Sequence, residues 1–390
     1  MSEQPSRRVL TDASRLIIEA AVRAGADVFV GYPITPANWL YHYATQRFPT
    51  TLPATDEITT LQWMAGFAAA GQFPVTATSF PGFALMVESV NMAYMMELPM
   101  LIVLVQRLGP STGSATTGAQ GDLLLLRGVI SGGFPLPVFS PSDFEDCWEL
   151  TGRAVAASLQ MRTPVVLLTS KEMVMTSRSF DLSRLSDIQR AAWPEYRGSN
   201  GYLPYRANPA EPPPFLPVGN RQHQVRINAS THDASGLIRK ATPEALANTR
   251  RLQEKIGAGM QKHMLFDYHA APDADTLLVT YGVTAEAARD AIRRLRERGR
   301  AISLLVVKTL LPFPPEALAI LRRYARVLIA EENLSGLLRE LIYGQMTPAN
   351  VLGVNQIGKL ISPEDIVAGY EKLSSMPLNP NSEAQGGKRS

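Results

Sequence analysis

The chain has 390 residues, a formal net charge of +3 and 19% charged residues. These values are ordinary for a soluble globular protein of two or three domains, and so small a charge gives no support to nucleic-acid binding. The single cysteine, Cys147, excludes an internal disulfide, a CxxC zinc site and an iron–sulfur cluster held by this chain alone.

The N-terminal residues and the apolar runs of the sequence predict a soluble, cytoplasmic protein. The start, MSEQPSRRVL, lacks the apolar core of a signal peptide. No run approaches the roughly 18 apolar residues that a membrane span needs, so we expect no membrane association. The basic segment 289–300 has helical spacing, and we interpret it as a solvated helix face.

The first 178 residues alternate between predicted helices and strands. The predicted helices cover 11–25, 37–46, 57–70, 84–96 and 143–159. The predicted strands cover 28–30, 74–79, 100–106, 136–139 and 164–168. This alternation is typical of α/β proteins with a mostly parallel sheet covered by helices, and it predicts a first domain over residues 9–178.

The rest of the chain divides into a connector, a second unit and a tail. Residues 179–270 are rich in proline and predict an extended connector followed by a charged helix at 243–256. A second, smaller α/β unit is predicted over 271–376, with four strands separated by helices. The polar residues 377–390 are expected to be disordered.

The loop YPITP, residues 32–36, directly follows a predicted buried strand. Each proline fixes its own φ and biases the preceding residue towards an extended backbone. Tyr32 and Thr35 should therefore be held beyond the carboxyl end of the strand, the edge where open α/β sheets bind ligands. The loop is either a recognition element for a small polar substrate or a stiffened turn.

Arg107 and Glu57 are two further candidates for chemistry. Arg107 ends the most apolar strand and precedes Gly-Pro-Ser-Thr-Gly. An arginine fork beside backbone and hydroxyl donors suits a carboxylate or phosphate, although a surface charge at a strand end is the alternative. Glu57 opens an apolar helix, where it either complements the helix dipole or acts as an acid–base group. Parallel strands should bring Thr35 and Arg107 to one crevice.

Four stretches taken in order carry a family resemblance: GYPITP, DEI with a small-residue helix ending at Gly71, ATSFPGF, and QRLGPSTG. They resemble the α subunit of 2-oxoacid:ferredoxin oxidoreductases, most closely the 2-oxoglutarate synthase type, which is related to pyruvate:ferredoxin oxidoreductase. Residues 231–236 are similar to that family's EHDExG segment, but Thr231 and Ala234 stand where it has glutamates. Residues 332–337 are similar to its ENxxGQ segment and lack the glutamine.

The resemblance implies a pyrimidine-type thiamine-diphosphate-binding domain at 9–178 and a transketolase C-terminal-like α/β domain at 271–376. It implies an enzyme that cleaves a 2-oxoacid, transfers the acyl group to coenzyme A and passes two electrons to ferredoxin. A β subunit would be needed, because this chain lacks the GDG-and-Asn pattern for Mg²⁺ and the diphosphate and the cysteines for a [4Fe–4S] cluster. We expect any γ-type or δ-type part on separate subunits, since 390 residues leave no room for it.

The resemblance also assigns roles residue by residue. It points to Glu57 as the partner of the cofactor's aminopyrimidine ring, with Asp56 as the weaker candidate. It points to Thr35 for the 2-oxo and carboxylate oxygens of the substrate and to Arg107 for the carboxylate. No metal ligand is expected on this chain. The remaining candidates are Ser111 and Thr112 for the substrate and Tyr32, Pro33, Gly82 and Phe83 for thiamine diphosphate.

Two other functions were weighed against this one. A catalytically inert, transketolase-like binding or assembly subunit would have no physical reason to keep Thr35, Glu57 and Arg107 together. A nucleotide-binding protein that uses the loop 109–121 as a phosphate cradle finds little support, because the loop has neither GxGxxG nor GxxxxGK[ST].

Overall fold

Two parallel-rich β-sheets, each flanked by helices, form the fold in the computed structural model, which describes residues 7–199 and 201–377. The predicted α/β fold class is therefore confirmed. The elements of the first part are β1 (Arg8–Thr11), α1 (Ala13–Ala24), β2 (Val28–Gly31), α2 (Asn38–Arg47), β3 (Thr50–Pro53), α3 (Glu57–Ala69), β4 (Pro74–Thr78), α4 (Phe80–Met95), β5 (Met100–Gln106), α5 (Leu123–Gly128), β6 (Val138–Phe139), α6 (Phe144–Met161), β7 (Pro164–Ser170), α7 (Lys171–Val174) and β8 (Arg178–Asp181). Those of the second part are α8 (Pro243–Met260), β9 (Phe266–His269), β10 (Thr276–Tyr281), α9 (Thr284–Glu297), β11 (Ser303–Val307), β12 (Thr309–Leu311), α10 (Pro315–Leu321), β13 (Arg326–Glu331), α11 (Leu337–Tyr343), β14 (Val351–Asn355) and α12 (Pro363–Ser374).

The first sheet has seven strands in the order β12-β6-β7-β5-β4-β2-β3. All its pairings are parallel except that of β12 with β6. The central strand β5 is buried along all of its 7 residues, which explains its unbroken apolar sequence. Because the inner strands are parallel, the carboxyl ends of β2, β4 and β5 open on the same edge of the sheet.

Helix boundaries follow the local capping chemistry. The Asp12 carboxylate accepts a hydrogen bond from the Arg15 N–H at 3.2 Å and begins α1. Gly25 ends it with φ of 111°, a left-handed conformation that favours glycine. The helix predicted over residues 11–25 agrees with these ends to within two residues.

The structure of the first sheet and its helices differs from the prediction in several places. Helix α4 begins at Phe80 and not near residue 84, since Pro81 is compatible with a first helical turn. The short strand β3 and the 6-residue helix α5 were not predicted. Phe80-Pro81-Gly82-Phe83 is therefore the first turn of a helix, and not a loop.

The proline-rich segment between β8 and α8 is irregular but firmly attached to the first sheet's helices. Its described residues form no α-helix or β-strand between Leu185 and Thr242. Tyr202, Tyr205 and Phe215 are nevertheless buried. The segment is anchored by Arg162, whose Nη1 donates to the Pro213 carbonyl oxygen at 3.1 Å.

A buried charge network joins helix α8 to the end of α4. Glu97 is fully buried and pairs with Arg251 and, at 2.7 Å, with Lys255. Burial alone would raise the pKa of Glu97, but the charges of Lys255 and Arg251 lower it to about 2. Loss of Glu97 would leave two cations, Arg251 and Lys255, unpaired in the interior, so the network holds α8 against the end of α4.

The second sheet has five strands in the order β14-β13-β10-β11-β9. Four are parallel, as predicted, and β9 adds an antiparallel edge that was not predicted. Strand β12, which follows β11 after one residue, leaves this sheet and pairs with β6 of the first. The chain therefore passes directly from the second sheet into the first, and packed side chains also join the two.

Gln120 provides a second connection between the two units. It is 1% exposed, and its Nε2 donates to the Tyr281 carbonyl oxygen at 2.9 Å. Its Oε1 accepts from the Glu332 N–H at 2.8 Å, and its backbone carbonyl accepts from Asn333 Nδ2 at 3.1 Å. The ends of β10 and β13 thus hold one residue of the loop that follows β5.

Within residues 7–199 and 201–377, none of the helices has the length and apolar character that crossing a membrane requires. The domain boundaries 9–178, 179–270 and 271–376 remain a proposal. The tail predicted to be disordered lies, apart from Pro377, outside the residues that the structure describes.

Candidate active site

A crevice opens at the carboxyl edge of the first sheet, where β2 and β5 end on either side of β4. Thr35 follows β2 and Arg107 follows β5, and the structure brings them together. Arg107 Nη1 donates to the Thr35 backbone carbonyl oxygen at 2.5 Å. The Thr35 hydroxyl oxygen accepts from Asn38 Nδ2 at 3.0 Å, which leaves the hydroxyl hydrogen available to a ligand.

The Arg107 guanidinium is a buried cation without a counter-ion in contact. The residue is 6% exposed, its Nε has no hydrogen-bond partner, and it makes no ion pair with any described residue. Burial lowers the pKa of Arg107, and the charge of Asp122 opposes that effect. Arginine stays protonated under ordinary conditions, so the crevice holds one positive charge with donors left over for an anionic ligand.

The carboxylates of Asp56 and Glu57, at the start of helix α3, have different surroundings. The Asp56 side chain caps α3 by accepting from the Thr59 N–H at 2.7 Å, a use that is typical of aspartate before a helix. Glu57, the first residue of α3, is 6% exposed, and its side chain makes no hydrogen bond with the residues that the structure describes. The buried carboxylate without a partner among these residues is therefore that of Glu57.

Gly82 lies against the Glu57 carboxylate from helix α4. A Cβ atom at this position would stand 2.5 Å from Glu57 Oε1 and 2.3 Å from the Thr78 hydroxyl oxygen. Such distances are far below van der Waals contact, so only glycine leaves Glu57 and Thr78 where they are. Gly82 therefore contributes to the site by leaving room for the Glu57 and Thr78 side chains.

We expect Gly82→Ala to displace the Glu57 side chain, since Glu57 is the more flexible of the two neighbours, and to lower any activity that uses the Glu57 carboxylate by about tenfold or more. Stability should fall only modestly, since alanine suits a helix. Steady-state activity and thermal unfolding measure the two effects. The matched control is Gly257→Ala on α8, where a Cβ would meet no atom within 4 Å. Equal activity loss in both variants would contradict this role of Gly82.

The other predicted site residues are spread more widely. Ser111 and Thr112 are exposed at the tip of the loop after Arg107, and they form no hydrogen bond with Thr35 in the part of the chain that the structure describes. Tyr32 is 41% exposed beside the crevice, and Pro33 is exposed next to it. Phe83 is fully buried in the apolar core. Their predicted roles in binding stay predictions.

Asp122 is a residue of this region that the sequence did not single out. It is 3% exposed and is the acidic residue whose charge acts on Arg107. The sequence offered one signal, an aspartate directly before the apolar run LLLL, which is typical of a helix cap. Nothing in that pattern indicates an arginine fifteen positions earlier as its neighbour.

The part of the chain that the structure describes has no group of three or more His, Cys, Asp or Glu side chains arranged to hold a metal ion. The groups of this region with free hydrogen-bonding atoms are instead the Glu57 carboxylate, which accepts, and the Thr35 hydroxyl and Arg107 guanidinium, which donate. Such a set can hold an organic ligand that has both polar ring atoms and a carboxylate.

Two family models match the chain. Residues 19–245 match the model described as pyruvate flavodoxin/ferredoxin oxidoreductase, thiamine diphosphate-binding. Residues 274–366 match the model described as pyruvate:ferredoxin oxidoreductase core domain II. The crevice, from Thr35 to Asp122, lies wholly within the first match.

Curated relatives with two different substrate names are about equally similar. The 2-oxoglutarate synthase subunit KorA of Archaeoglobus fulgidus is 29% identical over 366 residues, 92% of this chain and 97% of the relative. The ketoisovalerate oxidoreductase subunit VorB of Methanothermobacter marburgensis is also 29% identical, over 92% of this chain and 96% of the relative. Overall identity therefore does not distinguish the two substrates.

Solved structures agree with the fold. The 2-oxoglutarate:ferredoxin oxidoreductase from Magnetococcus marinus, solved with 2-oxoglutarate, coenzyme A and succinyl-CoA bound, superposes with a TM-score of 0.86 at 25% identity. The match covers 95% of this chain and 66% of that one, so this chain spans about two thirds of its length. A split-gene transketolase superposes with a TM-score of 0.52 at 14% identity, a likeness of fold alone.

Proposed function

The chain belongs to the pyruvate flavodoxin/ferredoxin oxidoreductase family, and from this membership we propose that it is the α subunit of a 2-oxoacid:ferredoxin oxidoreductase. The proposed substrate is 2-oxoglutarate. The 2-oxoacid and the thiol of coenzyme A give acyl-CoA, CO₂, one proton and two electrons, and ferredoxin takes up the electrons. The proposal includes a cytoplasmic location.

The observation that carries this proposal is the contact between Arg107 and Thr35 at the crevice edge. Arg107 is a buried cation that lacks a counter-ion in contact, and it lies against the residue whose hydroxyl hydrogen is free. A 2-oxoacid has a carboxylate directly next to a carbonyl oxygen. The guanidinium would hold the carboxylate and the Thr35 hydroxyl would donate to the 2-oxo oxygen, which together fix the orientation of the bond that breaks.

The residues on the other side of the crevice fit thiamine diphosphate. The buried Glu57 carboxylate has no partner, and Gly82 leaves open the space beside it. Glu57 would hold the aminopyrimidine ring and exchange a proton with it, a task for which a positioned carboxylate is suited. When bound, the cofactor supplies the carbanion chemistry of the decarboxylation. We assign three further residues to the surroundings of thiamine diphosphate: Tyr32, Pro33 and Phe83. We assign Ser111 and Thr112 to the surroundings of the substrate.

An exposed apolar surface next to Glu57 supports a partner subunit. Helices α3 and α4 carry apolar residues on all sides, a composition typical of buried helices. Ile58 and Trp63 on α3 are 44% and 41% exposed, and Leu85 on α4 is 53% exposed. We propose that a β subunit covers this surface and closes the crevice. Mg²⁺, the diphosphate site and a [4Fe–4S] cluster are assigned to that subunit in the same proposal, and γ or δ subunits complete the assembly where they occur.

The test is reconstitution with the product of the neighbouring gene. The two chains are purified together and assayed for viologen reduction with coenzyme A, thiamine diphosphate and, in turn, 2-oxoglutarate, pyruvate and 2-oxoisovalerate. We expect reduction that requires both chains and the cofactor and that is fastest with 2-oxoglutarate. A preference for 2-oxoisovalerate would correct the substrate and keep the reaction class.

The alternative is an inert, transketolase-like assembly subunit. A stable complex that reduces no acceptor with any of these 2-oxoacids would favour it and would overturn the proposed activity. The free polar groups of Thr35, Glu57 and Arg107 favour the enzyme, because a subunit without a ligand in this crevice gains nothing from burying a carboxylate and a guanidinium that are not paired.

A further inference from the structure

The residue after Arg107 has its backbone paired with a later part of the same loop. The Leu108 N–H donates to the Thr117 carbonyl oxygen at 2.8 Å, and the Leu108 carbonyl oxygen accepts from the Ser114 N–H at 3.0 Å. Strand β5 ends one residue before Arg107, so these two bonds satisfy the backbone where the chain leaves the sheet. The direction in which Arg107 leaves the strand therefore depends on where Ser114 and Thr117 lie.

The segment that contains Ser114 and Thr117 is held against helix α7 by a close contact. Helix α7 follows β7, the strand that pairs with β5, and carries Glu172. A Cβ atom at Gly118 would overlap both oxygen atoms of the Glu172 carboxylate. Gly118 thus lets the backbone pass directly over this side chain, and the chain reaches Gln120 two residues later.

Gln120 is bonded to the second unit through its backbone and through both ends of its side-chain amide. Its N–H donates to the Glu332 carbonyl oxygen at 2.7 Å, in addition to the hydrogen bonds at the ends of β10 and β13 described above. The Thr284 hydroxyl also donates to Gln120 Oε1 at 3.3 Å. The second unit therefore fixes both the backbone and the side chain of this residue.

The side-chain bonds of Gln120 require an amide of this length. The amide accepts at Oε1 and donates from Nε2 at the same time, which neither an ionised glutamate nor a methionine can do. Because Gln120 is buried, its loss would leave the Glu332 N–H and the Tyr281 carbonyl oxygen without these partners in the interior. Gly282 makes room for the amide, since a Cβ there would stand 3.0 Å from Gln120 Nε2.

We propose that Gln120 is a positioning residue for substrate binding, through which the second unit holds Arg107 against Thr35. Gln120 acts through the loop 108–119, whose first residue is bonded to Ser114 and Thr117. The inference rests on the proposed function, because it takes Arg107 as the ligand of the substrate carboxylate. The second unit thereby contributes to the affinity for the 2-oxoacid without providing the residue that binds it.

The physical reason is the orientation that the guanidinium needs. Two parallel hydrogen bonds to a carboxylate require one orientation of the Arg107 fork. Arg107 Nη1 is bonded to the Thr35 carbonyl oxygen, but Nε has no partner among the described residues, so the attached backbone also determines this orientation. Misplacement by about 1 Å can cost up to about 100-fold in catalytic efficiency. Glu57 and Gly82 lie on α3 and α4 and keep their geometry when the loop moves.

Gln120→Met tests the inference in the complex with the β subunit. Methionine has a similar length and fills the same space, but it cannot make these hydrogen bonds. We expect KM for 2-oxoglutarate to rise by about three- to tenfold and kcat to change by less than about twofold. The concentration of thiamine diphosphate that gives half-maximal activity should stay the same, whereas a general loosening of the fold would raise it. Initial rates measure all three quantities.

A double-mutant cycle shows whether Gln120 acts through Arg107. In the Arg107→Ala background, Gln120→Met should raise KM no further. Hydrogen exchange of the complex gives a readout that does not depend on activity. We expect the amides of residues 108–119 to exchange faster in Gln120→Met, because the Leu108 N–H loses protection, and those of α3 to exchange at the native rate.

The matched control is Thr309→Val on β12. The buried Thr309 hydroxyl accepts from the Leu265 N–H at 2.9 Å and donates to the His263 carbonyl oxygen at 2.7 Å. Valine keeps the shape and removes both bonds at the outer edge of the first sheet, where β6 and β7 separate β12 from β5. We expect lower thermal stability with native KM and native exchange of the loop.

The outcomes separate the inference from the proposed function. An unchanged KM in Gln120→Met, or equal rises in KM with and without Arg107→Ala, would overturn the inference and leave the proposed function intact. If Gln120→Met does not assemble, Gln120→Asn takes its place under the same criteria, since it keeps the backbone bonds but is too short to reach both side-chain partners. A KM that Arg107→Ala leaves unchanged would refute the substrate role of Arg107, a failure of the proposed function that removes the premise of the inference.

Discussion

Glu57→Gln is expected to reduce 2-oxoacid-dependent viologen reduction by about 10²–10⁴-fold, the range that a positioned acid–base group contributes. Glutamine has nearly the same shape and can still form hydrogen bonds, but it cannot exchange a proton with the aminopyrimidine ring. The side chain lies in the first turn of α3, and the change removes no hydrogen bond within the described chain. The measurement is steady-state viologen reduction by the complex, with gel filtration to verify assembly.

Asp56→Ser provides the control for Glu57→Gln. Serine also accepts a hydrogen bond at the start of a helix, so α3 keeps its cap while the neighbouring carboxylate is lost. We expect this variant to keep most of its activity. Full activity in Glu57→Gln, or equal losses in the two variants, would remove Glu57 from the mechanism.

Arg107→Ala is expected to raise KM for 2-oxoglutarate strongly and to change kcat less. A hydrogen bond to a charged group contributes about 1.5–3 kcal/mol, which corresponds to a rise in KM of about 10- to 150-fold. The guanidinium is buried and is the crevice's only cation in contact with Thr35, so no described side chain can replace it. Initial rates over a range of substrate concentrations measure the change.

Arg107→Lys separates charge from geometry. Lysine keeps the positive charge but loses the planar fork that binds a carboxylate through two parallel hydrogen bonds. We expect a KM between those of the native chain and of Arg107→Ala. An unchanged KM in the alanine variant would mean that the carboxylate binds elsewhere, for instance on the partner subunit.

Much of the crevice could be predicted because its residues directly follow a strand or begin a helix, and such positions can be recognised in the sequence. The run MLIVLVQ predicts a buried strand, and parallel strands end at one edge, so the order of the elements predicted that Thr35 and Arg107 lie close together. Glu57 was recognised at a helix start. The structure added the reason for preferring it, since Asp56 is engaged by the Thr59 N–H.

The features that were missed depend on contacts between distant residues. The short strands β3, β9 and β12 have 3 or 4 residues each, too few for a periodic pattern. Gly82 was named as a cofactor-site candidate through the family resemblance, but the room that it leaves for Glu57 depends on atoms that are distant in the sequence. The burial of Asp122 depends likewise on how the loop after β5 packs, with Gln120 held by the second unit.

Strand β12 has a consequence for how the chain can be divided. It follows β11 of the second sheet in the chain, yet it forms the outer edge of the first sheet beside β6. A fragment that ends before the second unit would leave β6, a strand of 2 residues, as an unprotected edge that invites pairing with other molecules. A fragment that ends before α8 would in addition leave Glu97 buried without Arg251 and Lys255. We therefore expect the two units, although separate in the chain, to depend on each other for stability.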